Sequence, residues 1–440
     1  MRVEWATEAE LGTPYWWDAL AQPAPGEDLP DTCDVLVVGA GYAGLSAALA
    51  AHESGARVVV VDAAEPGHGA STRNGGMFGA HPRLGWGALS KRFGAEAADA
   101  LFAEARPALD WAKDLIAREQ IECDLQETGR IQLAYTPAHF ANQKTLAQTI
   151  VTKSDVAARI VERADLGREI ATRKYHGGLL FPEHCAIHPA KFHQGLLRAV
   201  RARGVPVVAH AAVTGRAADG AGYRVQTAKG MIRAAKVVLT TNGYTRRPFR
   251  WHVARVFPLP SYIIATEELP RNLIGQIAPG RRMMVETRAR HSYFRISPDG
   301  KRVLFGGRAS MAEIGPERSG EHLYRTMVGI WPESEGVRLS HSWRGFTGYT
   351  FSHMPHVGHE DGVHYAMGFS GSGTVMAPWL GAKAAYQAVG DARGATAYSA
   401  TSLGRSWLHP GETPHFLRAA NLWYRQVVDR IEDWQADKEQ

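Results

Sequence analysis

Residues 34–62 read DVLVVGAGYAGLSAALAAHESGARVVVVD, and this stretch decides the fold. Asp34–Val38 is almost wholly apolar, Tyr42–Ser54 is rich in Ala and Leu with no β-branched residue, and Arg57–Asp62 returns to four valines in a row. Strand, helix and strand in that order make a βαβ unit, and strands apolar on both faces belong to a parallel sheet covered on both sides. Gly39-Ala40-Gly41-Tyr42-Ala43-Gly44 lies between the first strand and the helix. There, Gly39 permits the tight turn, Gly41 lets the backbone approach a pyrophosphate, and Gly44 lets helix and strand pack closely. The helix N-terminus adds free N–H groups and a positive dipole end. Asp62, followed by Ala63, closes the second strand where an acid accepts hydrogen bonds from an adenosine ribose. A dinucleotide is expected on this turn, and the fingerprint alone does not separate NAD from FAD.

A second glycine-rich stretch follows at once: Gly67-His68-Gly69-Ala70-Ser71-Thr72-Arg73-Asn74-Gly75-Gly76. Small and polar residues so near the ribose acid suit a wall that follows a long ligand from its adenosine end to its ring end. They equally suit a flexible surface loop. Further out, the 440 residues, with 45% hydrophobic and 21% charged, are globular in composition, which excludes a collagen, a coiled coil or a disordered tail. Fifty basic against 44 acidic residues give +6, a mild bias towards anionic ligands and no argument for nucleic acid. Cys33, Cys123 and Cys185 are odd in number and widely spaced, so a reducing compartment is expected. The first residues, MRVEWATEAELG, are charged and lack an apolar signal-peptide core. The uncharged run Val35–Ala51 contains Gly39, Gly41 and Gly44 and falls short of the roughly 20 apolar residues of a membrane span. A soluble, cytoplasmic chain is expected.

The opening arm is Pro-rich at Pro23, Pro25 and Pro30. Helical periodicity over 93–119, through Leu101, Leu109, Trp111 and Leu115, is interrupted by Pro107 as a break or kink. A helix begins at His188, and Val205–Ala209 is a strand whose Pro206 belongs at its first position or on a sheet edge. Lys236–Thr241 is a strand ending at Asn242-Gly243, short strands dominate 258–310, and a last helix follows Gly371-Ser372-Gly373. No internal repeat is visible. Interleaving of the two patterns predicts an α/β doubly wound domain interrupted by a β-rich domain.

Taken together, these motifs resemble a known family. The glycine turn with the acid closing the second strand, the segment G-A-S-T-R-N-G-G, His188-Pro189, Thr241–Thr245 and Ile264–Glu267 match it in order, as do Tyr293-Phe294-Arg295, Leu304–Gly307, Trp343-Arg344-Gly345, Ser352–Gly358 and Gly368–Gly373. This pattern, over about 13–430, is similar to the FAD-dependent amine and amino-acid oxidases of the D-amino-acid oxidase superfamily, and within it to the gamma-glutamylputrescine oxidoreductases. The resemblance implies a two-domain fold of the D-amino-acid oxidase and glutathione-reductase kind. Its Rossmann-type FAD-binding domain would comprise 1–92, 160–245 and 340–392, the substrate domain 93–159 and 246–339, and a C-terminal extension 393–440. It implies FAD held at Gly39, Gly41, Tyr42, Ala43, Gly44, Asp62 and Ala63, with Gly69, Ala70, Ser71, Thr72, Arg73, Asn74, Gly75 and Gly76 beside the diphosphate and ring. Val213 would offer its backbone near the adenine and Asn242-Gly243 would close the sheet on the cofactor. Gly371, Ser372, Gly373, Thr374 and Val375 would meet the pyrimidine end, where a helix N-terminus favours negative charge on the reduced ring.

The departures are also informative. Ser372 replaces a common His, and Val375 stands where sarcosine oxidases carry a Lys for the substrate carboxylate, which argues against sarcosine. Their oxygen-activating Lys falls near Leu304. No Cys occupies the C-terminal flavin segment, and Thr72 and Arg73 fill the other covalent position, so non-covalent FAD is implied, with His68 the one other residue to weigh. His353, His356 and His359 are interrupted by Pro355 and Gly358 and no metal is expected. Arg246, Arg247, Arg250 and Arg255 around Phe249 and Trp251 suit a solvated rim of an active-site entrance, and Trp5, Trp16, Trp17, Trp423 and Trp434 suit packing or an interface.

The implied reaction is oxidation of an amine or amino-acid C–N bond by hydride transfer to the flavin, with a gamma-glutamylputrescine-like amine as substrate. Tyr293 and Arg295, alternate residues of one strand, are expected on the substrate face, and Arg73 is expected to tune the flavin. Oxygen, with hydrogen peroxide as product, and a quinone or carrier protein are rival acceptors, and a non-catalytic flavin-binding protein is a third reading. The sequence sets no oligomeric state.

Overall fold

The computed structural model describes residues 3–20 and 26–437, so Pro23, Pro25 and the last three residues of the C-terminal extension lie outside the described residues. Two large sheets organise the chain. The eight-stranded sheet runs Val213–Asp219, Gly222–Thr227, Gly230–Leu239, Thr32–Val38, Val58–Val61, Val207–Val208, with Val363–Met367 also paired to Gly230–Leu239 and His356–Glu360 beyond it. Its centre is parallel, with Val35 opposite Val58 and Val37 opposite Val60 on one side and Val35 opposite Lys236 on the other. Both faces are covered, which explains the valine runs. The helix Tyr42–Glu53 has ten of its twelve residues buried and packs between this sheet and the helix Gly373–Val389. Val207–Val208 is an edge strand shorter than its sequence suggests, and Pro206 precedes it, accepting from the Val60 N–H at 2.9 Å.

The nine-stranded sheet runs Trp5–Leu11, Leu339–Tyr349, Phe257–Thr266, Val303–Gly307, Ser292–Ile296, Met283–Glu286, Arg130–Leu133, Gly177–Phe181, Arg159–Glu162. Phe257–Thr266 contains Pro258 and Pro260, which pair with Gly348 and Phe346, whereas its pairing to Val303–Gly307 begins only at Tyr262. Both prolines therefore sit where one side of the strand has no ladder to lose. Tyr262, Ile264, Phe294, Phe305 and Trp331 form the buried core behind this sheet. Strands 5–11, 159–162, 177–181 and 339–349 belong to this sheet although the expected boundaries put them, wholly or nearly so, with the nucleotide domain; a division by sheet moves them across.

The helical break expected at Pro107 falls at Glu104, between helices Ala95–Ala103 and Ala105–Arg118. Pro107 sits in the first turn of the second helix, where its missing N–H has no intrahelical partner to lose. Among the described residues no helix is long and apolar enough to cross a membrane.

The helix Pro189–Ala202 connects the glycine turn to the rest of the core. His188 caps it, its Nδ1 accepting from the Lys191 N–H at 3.2 Å, and the fully buried His193 donates Nε2–H to the Ala40 carbonyl at 2.7 Å. Burial pulls both imidazoles down to about 4. The unfolded chain protonates these groups near 6.5, so it binds more protons between pH 6.5 and 4, and stability falls as pH drops through that window. Each contributes up to about 1.4 kcal/mol per pH unit. Denaturant unfolding between pH 7 and 5 is expected to show this slope, and His193→Gln is expected to remove one histidine's share of it. An unchanged slope in the variant assigns the acid sensitivity elsewhere.

Candidate functional site

Closure of the turn at 39–44 begins with backbone. Gly39 has φ +106°, and a Cβ on Gly44 would collide with the Gly39 carbonyl. Thr240 Oγ1 ties the turn to the neighbouring strand, donating to the Val38 and Gly39 carbonyls at 2.9 and 3.1 Å, alternatives for its single proton. Asp62 accepts from Ala40 N–H at 2.7 Å and Ala64 N–H at 3.0 Å. Burial pushes its carboxyl up while the amides of Ala40, Ala64 and Ala63 pull it back. Each oxygen keeps a second acceptor position for a ribose hydroxyl. The helix Tyr42–Glu53 starts at Gly41 with no side-chain cap and no acid in its first turn. Its positive end is left for an anion.

The second glycine-rich stretch is hydrogen-bonded into a wall of the cavity. Ser71 Oγ accepts from Tyr42 N–H at 2.9 Å, and Asn74 Nδ2 donates to the Ala70 and Ser71 carbonyls at 3.1 and 2.9 Å. The N-terminal arm holds it from behind. Trp16 Nε1 donates to the Asn74 carbonyl at 2.8 Å, Trp17 Nε1 donates to Thr72 Oγ1 at 2.9 Å, and the Arg73 guanidinium lies 4.5 Å from the Trp17 ring centroid. Trp343 Nε1 donates to the Arg73 carbonyl at 3.0 Å.

A cavity of about 980 Å³ extends from this turn to the nine-stranded sheet. Gly39, Gly41, Tyr42, Ala43, Asp62, Ala63 and Val213 line the nucleotide end. Gly69, Ala70, Ser71, Arg73, Asn74, Gly75, Asn242 and Gly371–Thr374 continue the wall, and of the four arginines expected at a rim Arg246 and Arg247 line the cavity whereas Arg250 and Arg255 do not. Other expected contacts stand behind the wall. Gly44 packs on Gly39, Gly243 on Gly348, and Val375 is fully buried in the core. Thr72 spends its hydroxyl on Trp17 and on the Gly67 carbonyl at 2.6 Å, and Gly76 backs onto the Ile187 carbonyl.

At the far end Tyr293 lies on the wall as expected. Its ring occupies space that a Cβ on Gly75 or Gly306 would take, and its hydroxyl shares a hydrogen bond of 2.9 Å with Ser261. Arg295 is a correction. It is 3% exposed, off the cavity wall, and donates to the carbonyls of Ile187 at 2.8 Å, Gly76 at 3.3 Å and Ile296 at 3.1 Å. Alternation along the strand held, but the position two residues on falls beneath the cofactor loop. Sequence reasoning missed Arg308, Arg83, Tyr349 and His291, which come from four separate segments and share no local pattern. Burial, with Arg308 and Arg83 nearby, holds His291 well below its ordinary range, so it is a neutral imidazole.

Glycine turn, uncapped helix end and ribose acid fit the adenosine diphosphate part of FAD. Comparisons with known proteins agree. The family described as FAD dependent oxidoreductase (DAO) matches residues 34–387. Gamma-glutamylputrescine oxidoreductase of Escherichia coli (strain K12) is 29% identical over 382 residues, 86% of this chain and 89% of that protein. Glycine oxidase from Geobacillus kaustophilus has the same fold at a TM-score of 0.68 and 19% identity, covering 86% of this chain and 99% of that one. L-proline dehydrogenase from P. horikoshii gives 0.65 and 18%, covering 89% and 99%.

Four outcomes are expected at this site. A Cβ at position 41 would stand 2.8 Å from Ser71 Oγ, inside the cradle, so Gly41→Val is expected to purify without flavin, while Asp62→Ala weakens flavin binding by about 1–3 kcal/mol. Acid or heat is expected to release all flavin from the wild type; colour retained on the precipitate would show a covalent bond. Arg295→Met is expected to lower the melting temperature and flavin content by loosening the Gly76 and Ile187 carbonyls, with substrate preference unchanged. A selective rise in the substrate constant alone would return Arg295 to the substrate face.

Proposed function

The chain belongs to the family of FAD-dependent oxidoreductases, and from that premise we propose that it oxidises the C–N bond of a small amine. FAD, when bound, supplies a two-electron acceptor for the hydride leaving the carbon beside nitrogen, which gives an imine that water splits into a carbonyl product and an amine or ammonia. The protein's part is placement and electrostatics. The observation that carries the reading is the continuous cavity, with an uncapped helix and a ribose acid at one end and a polar wall of Tyr293, Ser261, His291 and Arg308 at the other.

Each far-end group has a role in that reading. Tyr293, fixed by Ser261 and by the absence of side chains at Gly75 and Gly306, forms a flat face against which a substrate aligns. Burial raises the Tyr293 hydroxyl, so it stays protonated and serves as a hydrogen-bond donor or acceptor. His291, held neutral, adds no charge beside an amine that must lose its proton before it reacts. Arg73, hydrogen-bonded to the His68 carbonyl at 2.8 Å, keeps a fixed cation on the wall of the cofactor loop. The similarity to gamma-glutamylputrescine oxidoreductase supports a gamma-glutamylated diamine as the substrate within this class.

Anaerobic mixing with polyamines, gamma-glutamylated amines, N-methyl amines and amino acids tests the reading. At least one amine is expected to bleach the flavin absorbance, a gamma-glutamylated diamine among them. A flavin left fully oxidised by every amine would refute the reaction class.

A further inference from the structure

Of the ten large apolar side chains exposed among the described residues, six lie between 407 and 434, in the C-terminal extension. Its helices Phe416–Trp423 and Asp429–Asp437 are joined without a break by the π-helical turn Tyr424–Val428. Leu417, Ala420 and Tyr424 pack inward on the cluster of Phe257 and Tyr349. Further on, Asp429 reaches Arg290, Glu432 accepts from the Ala289 N–H, and Ala436 enters the core behind the nine-stranded sheet. These inward positions are spaced three, four, five, three and four apart, so the π turn supplies the extra residue that keeps the row continuous. Leu422, Trp423 and Ile431 fall between inward positions and face solvent, with Trp423 59% exposed. Trp407, 86% exposed, and Leu408 stand at the start of the same helical run, where His409 donates to the Val253 carbonyl at 2.9 Å and its ring lies 6.4 Å from Phe416.

The charges of the extension divide between the same two sides. Glu412 is paired with Arg247 at 3.9 Å, Asp429 with Arg290 at 2.9 Å, and Glu432 and Asp433 with Arg288 at 3.6 and 3.0 Å. Arg405, Arg418, Arg425 and Arg430 are exposed, and none forms an ion pair among the described residues. Between 405 and 437 the acids are thus turned inward, Asp437 excepted, and the arginines outward. An exposed apolar face flanked by unpaired arginines fits a partner that offers apolar depth beneath a layer of negative charge. A second copy of this chain meets neither need, because an isologous contact sets these arginines against their own kind. We propose that the C-terminal extension rests on an anionic phospholipid membrane surface, with Trp407, Leu422, Trp423 and Ile431 at the headgroup–acyl boundary and the unpaired arginines on lipid phosphates. Indole rings settle at that boundary, and arginine stems reach from it to the phosphates. The contact is peripheral, since no helix among the described residues is long and apolar enough to cross a bilayer.

Vesicle flotation of the flavin-loaded, full-length protein tests the anchor. At low salt the wild type is expected to float with vesicles of phosphatidylglycerol and far less with vesicles of phosphatidylcholine, and to be released as salt is raised. Trp423→Ser is expected to lower the partition coefficient about tenfold. Each of Arg418→Gln, Arg425→Gln and Arg430→Gln is expected to lower it about fivefold. Val151→Ser removes an exposed apolar residue from the helix Pro137–Ser154 and is expected to change nothing. Flavin content and melting temperature, expected to match the wild type, show that each variant is folded. If Trp423→Ser fails that check, Trp407→Ser, on the loop before the helix, decides by the same flotation. Equal flotation with both lipids, or equal partition of wild type and variants, would overturn the anchor. So would a dimer that Trp423→Ser disperses, which assigns the face to a second copy. Absence of wild-type flotation would also overturn it and leave an acidic protein as the partner this face fits. No readout here requires a substrate, so the anchor and the amine-oxidation reading are judged separately.

Discussion

The contact between Gly44 and the carbonyl of Gly39 sets the geometry from which the rest follows. With no side chain between them, the helix Tyr42–Glu53 starts almost on top of the strand it follows, and Thr240 locks the same carbonyl from the next strand. Gly41 offers no side-chain cap and Ser71 takes only the Tyr42 N–H, so the rest of the first turn is left for the cavity. A polar side chain at 41 would supply its own cap and close the site. The helix end is thus kept for a ligand by the absence of atoms, and the surrounding apolar packing makes that arrangement affordable.

The two ends of the cavity solve different electrostatic problems. At the nucleotide end, charge is met by amides and a helix dipole, which are fixed, uncharged in sum and insensitive to pH. The far end is lined by the Arg308 and Arg83 guanidiniums, beside a histidine that burial and their field keep neutral. The net charge of +6 says nothing about this division, because it counts paired surface arginines with unpaired cavity ones.

What the sequence made legible was what local chemistry decides. The turn at 39–44, the strand ending at Asp62 and the helix after Gly373 are set by residues adjacent in the chain, and all lie where their patterns placed them. The helix Pro137–Ser154 escaped although its start is chemically plain, with Thr136 accepting from the His139 N–H at 3.1 Å and Pro137 in the first position. Its polar composition gave periodicity little to work on. Arg295 shows the limit of alternation: the strand pattern correctly placed it on the face of Tyr293, yet which loop covers that face two residues on is a tertiary fact. Arg308 presents the same difficulty in reverse, since its meaning depends on Tyr349 and Arg83, which reach it from distant segments.

The opening arm carries the last physical link. Trp5–Leu11 pairs with Leu339–Tyr349 in the nine-stranded sheet, and a few residues later Trp16 and Trp17 clamp the loop that walls the cofactor site. Trp343, on that same strand, bonds to the Arg73 carbonyl of the loop, and Arg295 from the same sheet holds Gly76 at its end. The cofactor wall is therefore fastened to the sheet that carries Tyr293, as firmly as to the sheet that carries the glycine turn. For a reaction in which hydride crosses from one ligand to another, the distance between the two ligands matters more than the position of either. Trp16, Trp17 and Trp343, each hydrogen-bonded to that loop, hold it at a set distance from the strand that carries Tyr293.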